Sequence, residues 1–424
     1  MKPFVTGVGF VTPIGNDRPS VEKSLREGRH GLSAAVFLDN PDLPVKVAGA
    51  VKGFEVDSPN WRDWSWPPAY DVPKEILRGL APHGLYALCA VEQALAGAGL
   101  RPVDIAEDPD TGLYCASAGS AMLLHHNLAQ MRSVRGSRGN PLGVVSSIAG
   151  TLNFNLAAHY RITGTVCGFV SACASSSHAM GYAIDDLRLG RLKRAVVVGA
   201  EELNADSLLP FAHMRALSKQ ADPGRASRPF DVDRDGFVGA GGAVAIVLEA
   251  PRAAAERGAS ALATAAGWGQ AADGHSVAAS HPEGAGLLLA MERALADAGI
   301  GPQDIDHVSA HATSTPIGDL AEAIALRRLF VARGLKPPIA ATKGLTGHGL
   351  SLSGVMQAAL CVLSINGRFI PGNPHLEEAG PECEGLDLPR DTLGRAPSAV
   401  LSNSSGFGGS NVCHVIGVPG RFTG

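Results

Sequence analysis

The chain carries one segment twice, first as Ala90-Val-Glu-Gln-Ala-Leu-Ala-Gly-Ala-Gly-Leu-Arg-Pro-Val-Asp-Ile105 and then as Ala290-Met-Glu-Arg-Ala-Leu-Ala-Asp-Ala-Gly-Ile-Gly-Pro-Gln-Asp-Ile305. The offset is 200 residues throughout, and ten of the sixteen aligned pairs are identical. Each copy predicts an amphipathic helix that ends at Gly99 or Gly299, followed by a proline and a connection into a strand. A period this long is not that of a solenoid repeat. The repeat therefore predicts two similar α/β halves that pack together.

Short apolar runs supply the strands that such halves need. Residues 112–116, 195–199, 243–248 and 307–310 predict buried strands, and helical patterns lie between them. This alternation predicts a layered α/β fold. We place the boundary near Pro251, which gives an N-terminal half at 1–250 and a C-terminal half at 251–424. Residues 54–74, with Trp61, Trp64 and Trp66, predict an irregular surface excursion whose rings pack locally; a binding cap or a dimer contact is the alternative.

Composition bounds the class of protein. The 424 residues are 45% hydrophobic and 18% charged, with a formal net charge of −4. This charge does not favour nucleic acid as a partner. The N-terminus lacks the pattern of a signal peptide, and no apolar run predicts a membrane span. The seven cysteines are scattered, with no Cys-x-x-Cys pair, so we expect neither a disulfide framework nor a zinc site, and we expect a cytoplasmic location.

One of these cysteines lies where an apolar run meets a run of small residues. Residues 165–170 predict a strand, Ser171-Ala172-Cys173-Ala174 a tight turn, and the residues up to 187 a helix. A helix N-terminus carries partial positive charge. We therefore expect a lowered pKa for the Cys173 thiol and a nucleophilic thiolate. A buried structural cysteine is the alternative.

Two histidines lie in small-residue turns of the C-terminal half. His311 follows the strand of the second repeat, and His348 lies in Thr346-Gly347-His348-Gly349. Strand-to-helix turns converge at one edge of an α/β sheet, so both histidines are expected beside Cys173. For either histidine alone, a turn residue held by backbone hydrogen bonds is the alternative. The trio suits acyl transfer to sulfur and then carbon–carbon bond formation through an enolate, with Lys343 adding positive charge and Glu322 orienting that lysine.

At this point the motifs form a known pattern. Over essentially its whole length the chain resembles the β-ketoacyl-acyl carrier protein synthases of the elongating classes I and II. The matching segments are residues 5–9 with 12–16, 171–174, 228–238, 311–319, 343–348 and 406–411. The resemblance implies a thiolase fold of two duplicated halves in five α/β/α/β/α layers. It also implies an acyl carrier protein as partner, whose phosphopantetheine arm brings the substrate, and no metal or redox cofactor. A homodimer is expected, with a heterodimer of related ketosynthase subunits as the alternative.

The resemblance also implies roles for individual residues. Cys173 takes the acyl group, and His311 and His348 stabilise the enolate formed when a malonyl group loses carbon dioxide. Lys343 and Glu322 support the histidines. Backbone N–H groups of Cys173 and Phe407 form the oxyanion hole, and the Phe407 ring gates the acyl site. The remaining matches are to substrate-binding positions, Thr313, Thr315, Gly119, Ser405 and Gly408, and to a carrier-docking stretch, Arg132, Arg135 and Arg138. For the arginines, a solvated loop is the alternative.

The chain departs from the family pattern near the expected acyl site. Gly241 and the small Gly119 favour class I. Ser405 replaces a bulky aromatic residue, Ala312 replaces a glycine, and Leu350-Ser351-Leu352-Ser353-Gly354 replaces Leu-Gly-Ala-Ala-Gly. No catalytic group is lost. These changes predict a repacked pocket and an acyl chain unlike ordinary saturated fatty acids, such as a polyene or polyketide.

Three rival functions fit parts of the pattern. A thiolase needs a second reactive cysteine in the C-terminal glycine-rich loop, where this chain has Ser405 and Phe407. A subunit of the chain-length-factor type replaces the nucleophile, whereas Cys173 is present. A carrier-binding module without turnover is disfavoured for the same reason. Class III synthases carry asparagine where this chain has His348.

Overall fold

The computed structural model describes residues 2–38, 43, 45–136 and 139–422. The strands are β1 (Phe4–Val11), β2 (Ser33–Ala34), β3 (Val47–Ala48), β4 (Thr111–Ala116), β5 (Val166–Phe169), β6 (Arg194–Glu201), β7 (Gly242–Glu249), β8 (Ala263–Ala272), β9 (His307–Ser309), β10 (Ile339–Ala340), β11 (Ala399–Gly406) and β12 (Ser410–Gly417). The α-helices are α1 (Arg18–Arg26), α2 (Lys74–Leu77), α3 (Pro82–Gly97), α4 (Ala121–Ser133), α5 (Thr151–Tyr160), α6 (Ser175–Arg188), α7 (Ala205–His213), α8 (Pro223–Ala226), α9 (Pro251–Glu256), α10 (Ala285–Ala298), α11 (Pro316–Leu329), α12 (Lys343–Thr346) and α13 (Ser353–Gly367).

The strand order repeats itself from one half of the chain to the other. Outward from the centre, one half runs β1-β7-β6-β4-β5 and the other runs β8-β12-β11-β9-β10. In each half the first two pairings are antiparallel and the last two are parallel. The halves join where β1 pairs with β8. This shared topology confirms the predicted duplication.

Helices cover both faces of each half. The largest core cluster combines α6 and α13 with side chains from strands of both halves, so these two helices form the central layer. A second cluster packs α3 and α5 on the outer face of the first half, and a third packs α10 and α11 on the outer face of the second half. The result is the expected α/β/α/β/α arrangement of a thiolase fold.

The repeated segment has the same structure in both copies. It forms the ends of α3 and α10, then Gly99 or Gly299 with positive φ, then a short 3₁₀ turn (Pro102–Asp104 or Pro302–Asp304). Strand β1 presents Gly7 and Gly9 to α3, and β8 presents glycines at the same spacing to α10. A Cβ at any of these four positions would clash with helix backbone. The Gly7-x-Gly9 pair therefore lets a helix approach its strand closely.

The tryptophan-rich excursion packs locally, as predicted. Trp64 is buried, and its indole N–H donates to the Ser58 carbonyl at 2.7 Å. The partly buried rings of Trp61 and Trp66 pack against the core cluster of the first half. Elsewhere in the described ranges, one helical stretch, Leu350–Gly367, is long and apolar enough to cross a membrane, and 83% of it is buried inside the protein. It includes α13 of the central layer.

Candidate active site

The nucleophile lies between the last residue of β5 and the first of α6. Ala172 adopts a left-handed conformation with φ 51, which turns the chain sharply just before Cys173. Gly406, at the end of β11, packs directly on this turn, and a Cβ there would lie 2.7 Å from the Ser171 carbonyl oxygen. The absence of a side chain at Gly406 thus brings the following residue, Phe407, beside Cys173. This approach suits the oxyanion hole expected from their two N–H groups, which stays a prediction.

The thiol contacts one imidazole directly. Cys173 Sγ lies 3.0 Å from Nε2 of His348. Burial raises the pKa of the thiol to about 12, although the nearby Lys343 charge acts in the opposite direction. The expectation of a lowered pKa is therefore wrong for this state of the site, because desolvation of a thiolate outweighs the charges around it. A buried thiol of this kind needs a base to take its proton, and His348 is the group within reach.

His348 is enclosed on all sides. Its Nδ1 lies 2.9 Å from Ser353 Oγ, and its ring meets the Phe237 ring edge-on with centroids 5.1 Å apart. The His311 ring lies 5.4 Å away, also edge-on. Burial, aided by the Lys343 charge, holds the pKa of His348 well below 6.5. The imidazole is therefore neutral at pH 7.

His311 is held by the buried lysine. Lys343 Nζ lies 3.3 Å from His311 Nδ1 and 2.7 Å from Gln357 Oε1, and it also donates to the His311 carbonyl. An ammonium group only donates, so Nδ1 of His311 is the acceptor and its proton is on Nε2. Burial lowers the pKa of Lys343 to about 8 and, with the lysine charge, lowers the pKa of His311 well below 6.5.

Glu322 supports the loop that carries His311. Its carboxylate accepts hydrogen bonds from the backbone N–H groups of His311 at 2.9 Å and Ala312 at 2.6 Å, and from Asn403 Nδ2 at 2.9 Å. The side-chain partners of Lys343 are Gln357 and His311. Glu322 therefore shapes the loop that carries His311; its charge acts on Lys343, but the contact expected to orient the lysine is not formed.

These groups open into one cavity of about 480 Å³. Its walls include most of the predicted site residues, namely Cys173, His311, His348, Glu322, Thr313, Thr315, Ser405 and Phe407. The hydroxyls of Thr313 and Thr315 lie 3.0 Å apart on the wall beyond His311. The fold therefore brings together the nucleophile, both histidines and the threonines expected to contact the pantetheine.

The Phe407 ring lies at the edge of this cavity. It is 38% exposed, and its centroid is 6.2 Å from the Phe211 ring. The next residue, Gly408, has φ 79 and donates its N–H to the Val277 carbonyl at 2.9 Å. Gly408 is not in the wall of this cavity, and its contact with substrate stays a prediction. The gating role of Phe407 stays a prediction.

Gly119 is also outside the cavity wall. Its φ is +86, and a Cβ would meet the backbone of residues 147–149, starting with the Ser147 carbonyl oxygen at 2.6 Å. The positive φ and the close approach of the neighbouring backbone therefore both account for a glycine at this position. Its predicted place at the far end of the acyl pocket stays a prediction.

Ser405 lines the cavity and belongs to a series of hydrogen-bonded polar side chains. Its hydroxyl donates to Asn411 Oδ1 at 2.7 Å, and Asn411 Nδ2 donates to Asp273 Oδ1 at 2.8 Å. Asn411 and Asp273 line the same cavity. Where the resemblance led us to expect a bulky aromatic ring, the wall is therefore small and polar.

The predicted docking arginines are at the surface. Arg132 lies in the last turn of α4 and Arg135 just after it with φ 51, and both are exposed. Helix α4 packs against α7, which carries Phe211 of the cavity wall. Arg138 lies outside the described residues. Docking of a carrier protein on these arginines stays a prediction.

Sequence reasoning missed two polar residues of the site. Gln357 and Ser353 both lie on α13. Gln357 contacts Lys343 and Ser353 contacts His348, two residues that the motifs had identified. Gln357 is fully buried in the apolar run 355–363 of that helix. A lone polar residue in such a run was the available signal, because buried polar groups require partners.

The chain is similar to known proteins over nearly its whole length. A family model described as beta-ketoacyl synthase, N-terminal domain, matches residues 3–254, and one described as beta-ketoacyl synthase, C-terminal domain, matches residues 262–377. The 3-oxoacyl-[acyl-carrier-protein] synthase 1 of Escherichia coli strain K12 is 34% identical over 416 residues, which cover 97% of this chain and 98% of that protein.

Solved structures of ketosynthases are similar to this chain over nearly their whole length. A beta-ketoacyl synthase from Burkholderia phymatum superposes with a TM-score of 0.90 at 29% identity, covering 98% of this chain and 99% of the other. The ishigamide ketosynthase/chain length factor superposes with a TM-score of 0.87 at 28% identity, covering 99% of each chain.

Proposed function

Because the chain belongs to the β-ketoacyl synthase family, we propose that it lengthens a carrier-bound acyl chain by two carbons through decarboxylative condensation. The supporting observation is that Cys173, His348 and His311 line one cavity, with the thiol 3.0 Å from an imidazole nitrogen and with Lys343 in contact with His311. The enzyme is an acyltransferase of the condensing type. Its proposed second substrate is malonyl-acyl carrier protein.

In the first stage the Cys173 sulfur attacks the thioester carbonyl of the incoming acyl-carrier protein. A new S–C bond forms, and the pantetheine thiol leaves with the proton that came from Cys173. The carbonyl oxygen becomes negative during the attack. The N–H groups of Cys173 and Phe407 are proposed to stabilise this charge.

In the second stage the malonyl thioester loses carbon dioxide and its carbonyl oxygen becomes an enolate. The Nε2–H of His311 is directed into the cavity because Lys343 occupies Nδ1, so it supplies the required donor. His348 faces the same space from the other side. The nucleophilic carbon then attacks the acyl group on Cys173, which forms the C–C bond and releases the sulfur. The proposed reaction uses no metal or redox cofactor.

A product assay tests this function. The purified protein is incubated with acyl-carrier protein and malonyl-carrier protein, and the carrier-bound product is identified by mass spectrometry. The expected product is a 3-oxoacyl chain two carbons longer, absent with Cys173→Ala. Formation of the same product by Cys173→Ala would contradict the assignment.

Two rival activities receive less support. The cysteine nearest to the C-terminal glycine-rich loop is Cys413 on β12, which is fully buried and whose pKa burial raises well above 9.0. It is unsuited to the second cysteine of a thiolase. A chain-length-factor role is disfavoured because the nucleophile and both histidines are in place.

We further propose that the acyl chain is specialised, as in polyene or polyketide synthesis. The support is the Ser405–Asn411–Asp273 wall, which leaves space and hydrogen-bonding groups where an aromatic ring is expected. Replacement of Ser405 by Phe is expected to shift preference towards short saturated acyl groups by about 10- to 200-fold, since one pocket contact discriminates by about 1–3 kcal/mol. Competition assays with paired acyl-carrier proteins measure this, and an unchanged preference would rule the proposal out.

We also propose partners for two surfaces. The exposed Arg132, in the last turn of α4, and Arg135, just after it, fit an acidic carrier protein, since a local basic patch steers association even on a negatively charged chain. Strand β5 ends the sheet and pairs with β4 alone among the described strands, with exposed Val170 just beyond it. Such an edge fits a second copy of this chain or a related ketosynthase subunit. Sedimentation of the purified protein is expected to give a dimer, and a monomer would contradict self-association.

A further inference from the structure

Lys343 is a fully buried cation whose hydrogen-bond acceptors are all uncharged. Its Nζ contacts Gln357 Oε1 at 2.7 Å and His311 Nδ1 at 3.3 Å, and it donates to the His311 carbonyl oxygen. Within the described ranges no carboxylate accepts from it, whereas a fully buried lysine is ordinarily paired with an acid. An amide therefore occupies the place beside this ammonium where a counter-ion is expected.

The carboxylates around Lys343 have other partners. Glu322 on α11 accepts from two backbone N–H groups of the His311 loop and from Asn403 Nδ2. Asp319, one turn earlier on the same helix, accepts from three backbone N–H groups. Both act on Lys343 through space and without contact. The titratable groups that face the ammonium are these two carboxyls with Cys173, His311 and His348.

The ends of two strands fix which way the Gln357 amide points. Its Nε2 donates to the carbonyl oxygens of Ala310 and Asn403, both at 3.0 Å, and lies 3.4 Å from that of Ser309. Carbonyl oxygens only accept, so the reversed amide would place Oε1 against three acceptors and an NH₂ group against an ammonium. Oε1 therefore has to face Lys343, and the side chain links α13 to the ends of β9 and β11.

A glutamate at this position would satisfy only one side. One carboxylate oxygen could accept from Lys343, but the other would face the three carbonyl oxygens without a proton to donate. The carboxylate would also place a negative charge within hydrogen-bond distance of the ammonium. It would offset most of the field that the lysine exerts on its other side, where the Nε2–H of His311 is directed into the cavity.

We propose that Gln357 is a positioning residue that holds Lys343 behind His311 and leaves the positive charge of the lysine uncompensated for the enolate. The proposal rests on the proposed function and concerns its decarboxylation step. In that step the bond between the α-carbon and the carboxylate breaks and carbon dioxide leaves. The electron pair of that bond forms the enolate, and Gln357 and Lys343 exchange no proton. Neither residue lines the cavity, so both act through His311.

This arrangement has a consequence for the pH range. Without a contacting carboxylate, burial lowers the pKa of Lys343 from 10.5 to about 8. The ammonium is therefore present below about pH 8 and is lost above it. A carboxylate at residue 357 would favour the charged form and raise this pKa, whereas removal of the acceptor would lower it further.

The first experiment follows the pH at which decarboxylation of malonyl-carrier protein falls to half its plateau rate. In Gln357→Glu this midpoint is expected to rise by about one pH unit or more, and the plateau rate to fall by about three- to tenfold because the lysine charge is offset. Gln357→Met removes the acceptor without adding charge and is expected to lower the midpoint. Asp319, whose pKa burial raises to about 7, titrates in every variant, so the wild-type midpoint is the reference.

Gln93→Glu is the matched control. Gln93 Nε2 also donates to two carbonyl oxygens, those of Phe10 and Asn16, and the residue lies on α3 in the other half. The same replacement there is expected to leave the midpoint unchanged. A purely structural role for Gln357 would change the amount of folded protein but not the midpoint. The proposal is overturned if either Gln357 variant keeps the wild-type midpoint or if both move it in one direction.

A second measurement needs no variant at residue 357. Carbon-13 NMR of lysine-labelled protein follows each Cε signal with pH, and Lys343→Met identifies the signal of Lys343. A titration near pH 8 supports an uncompensated ammonium, and a titration at 10.5 or above overturns it. This reading requires no substrate. Absence of decarboxylation in the wild type would therefore count against the proposed function, whereas the NMR titration alone decides the state of Lys343.

Discussion

The two histidines of the cavity are alike in type, burial and neutrality, yet each has a different partner at Nδ1. His311 meets the ammonium of Lys343 at 3.3 Å, and His348 meets the hydroxyl of Ser353 at 2.9 Å. A lysine can only donate, so it fixes one tautomer, whereas a hydroxyl can also accept. The difference shows that a neighbouring ammonium fixes the proton of His311 on Nε2, whereas the hydroxyl beside His348 is compatible with a proton on either ring nitrogen.

The largest expected effect comes from removal of the base. In His348→Ala the thiol loses the one imidazole that it contacts among the described residues, so acylation of Cys173 is expected to fall by about 10²–10⁴-fold. Stopped-flow mixing with acyl-carrier protein, followed by mass analysis, measures the rate. If acylation stayed within a few-fold of the wild-type rate, the base would be some other group and the contrast with His311 would fail.

A smaller effect is expected when the donor is removed. His311→Ala should slow decarboxylation of malonyl-carrier protein by about 10²–10³-fold, the usual loss when one donor to a developing oxyanion is deleted. Acylation of Cys173 should remain within a few-fold, because the thiol contacts His348. Carbon dioxide release and acylation are measured on the same preparation. A loss of both steps to the same degree would show that the two rings do not divide the work.

The smallest effect is a pH dependence of decarboxylation, the step in which His311 is expected to act. Burial lowers the pKa of Lys343 to about 8 from its ordinary 10.5, so the ammonium is present below that pH and is lost as pH rises through it. The decarboxylation rate is therefore expected to fall above about pH 8, since a neutral amine no longer fixes His311 Nδ1 as an acceptor. Rates at several pH values between about 7 and about 9 test this.

The control for this decline in rate is Lys343→Met. Its decarboxylation rate should be low and nearly independent of pH over the same range. A wild-type rate that stays level through pH 8, or a variant that keeps the same decline, would assign the titration to another group. Glu201 is the group to examine then, because burial raises its pKa to about 8 as well.

Much of the fold was predictable because its signals are local and repeated. The repeat at 90–105 and 290–305 became the ends of α3 and α10 with matching turns, and every predicted strand formed within two or three residues of its expected bounds. Helix α11 begins at Pro316, soon after the turn that carries His311. Proline suits the first position of a helix, where its missing N–H is not needed.

The site was less predictable, because its chemistry depends on contacts between distant segments. The motifs identified Cys173, His311 and His348, and the fold brings them together. The direction of the thiol pKa was wrong, because the sequence shows the helix N-terminus but not the burial that outweighs it. The partner of Lys343 was also wrong. Gln357 reaches that lysine only through the packing of α13 in the central layer.

The most direct test of the central claim is the intact mass of the protein during one cycle. Acyl-carrier protein is added first, then malonyl-carrier protein, and the mass of the enzyme is followed with time. The account predicts one acyl adduct on Cys173 that persists until the malonyl substrate arrives and then disappears as the longer 3-oxoacyl product forms. Product formation with Cys173 unmodified throughout, or no adduct from any acyl-carrier protein while iodoacetamide still labels Cys173, would contradict it.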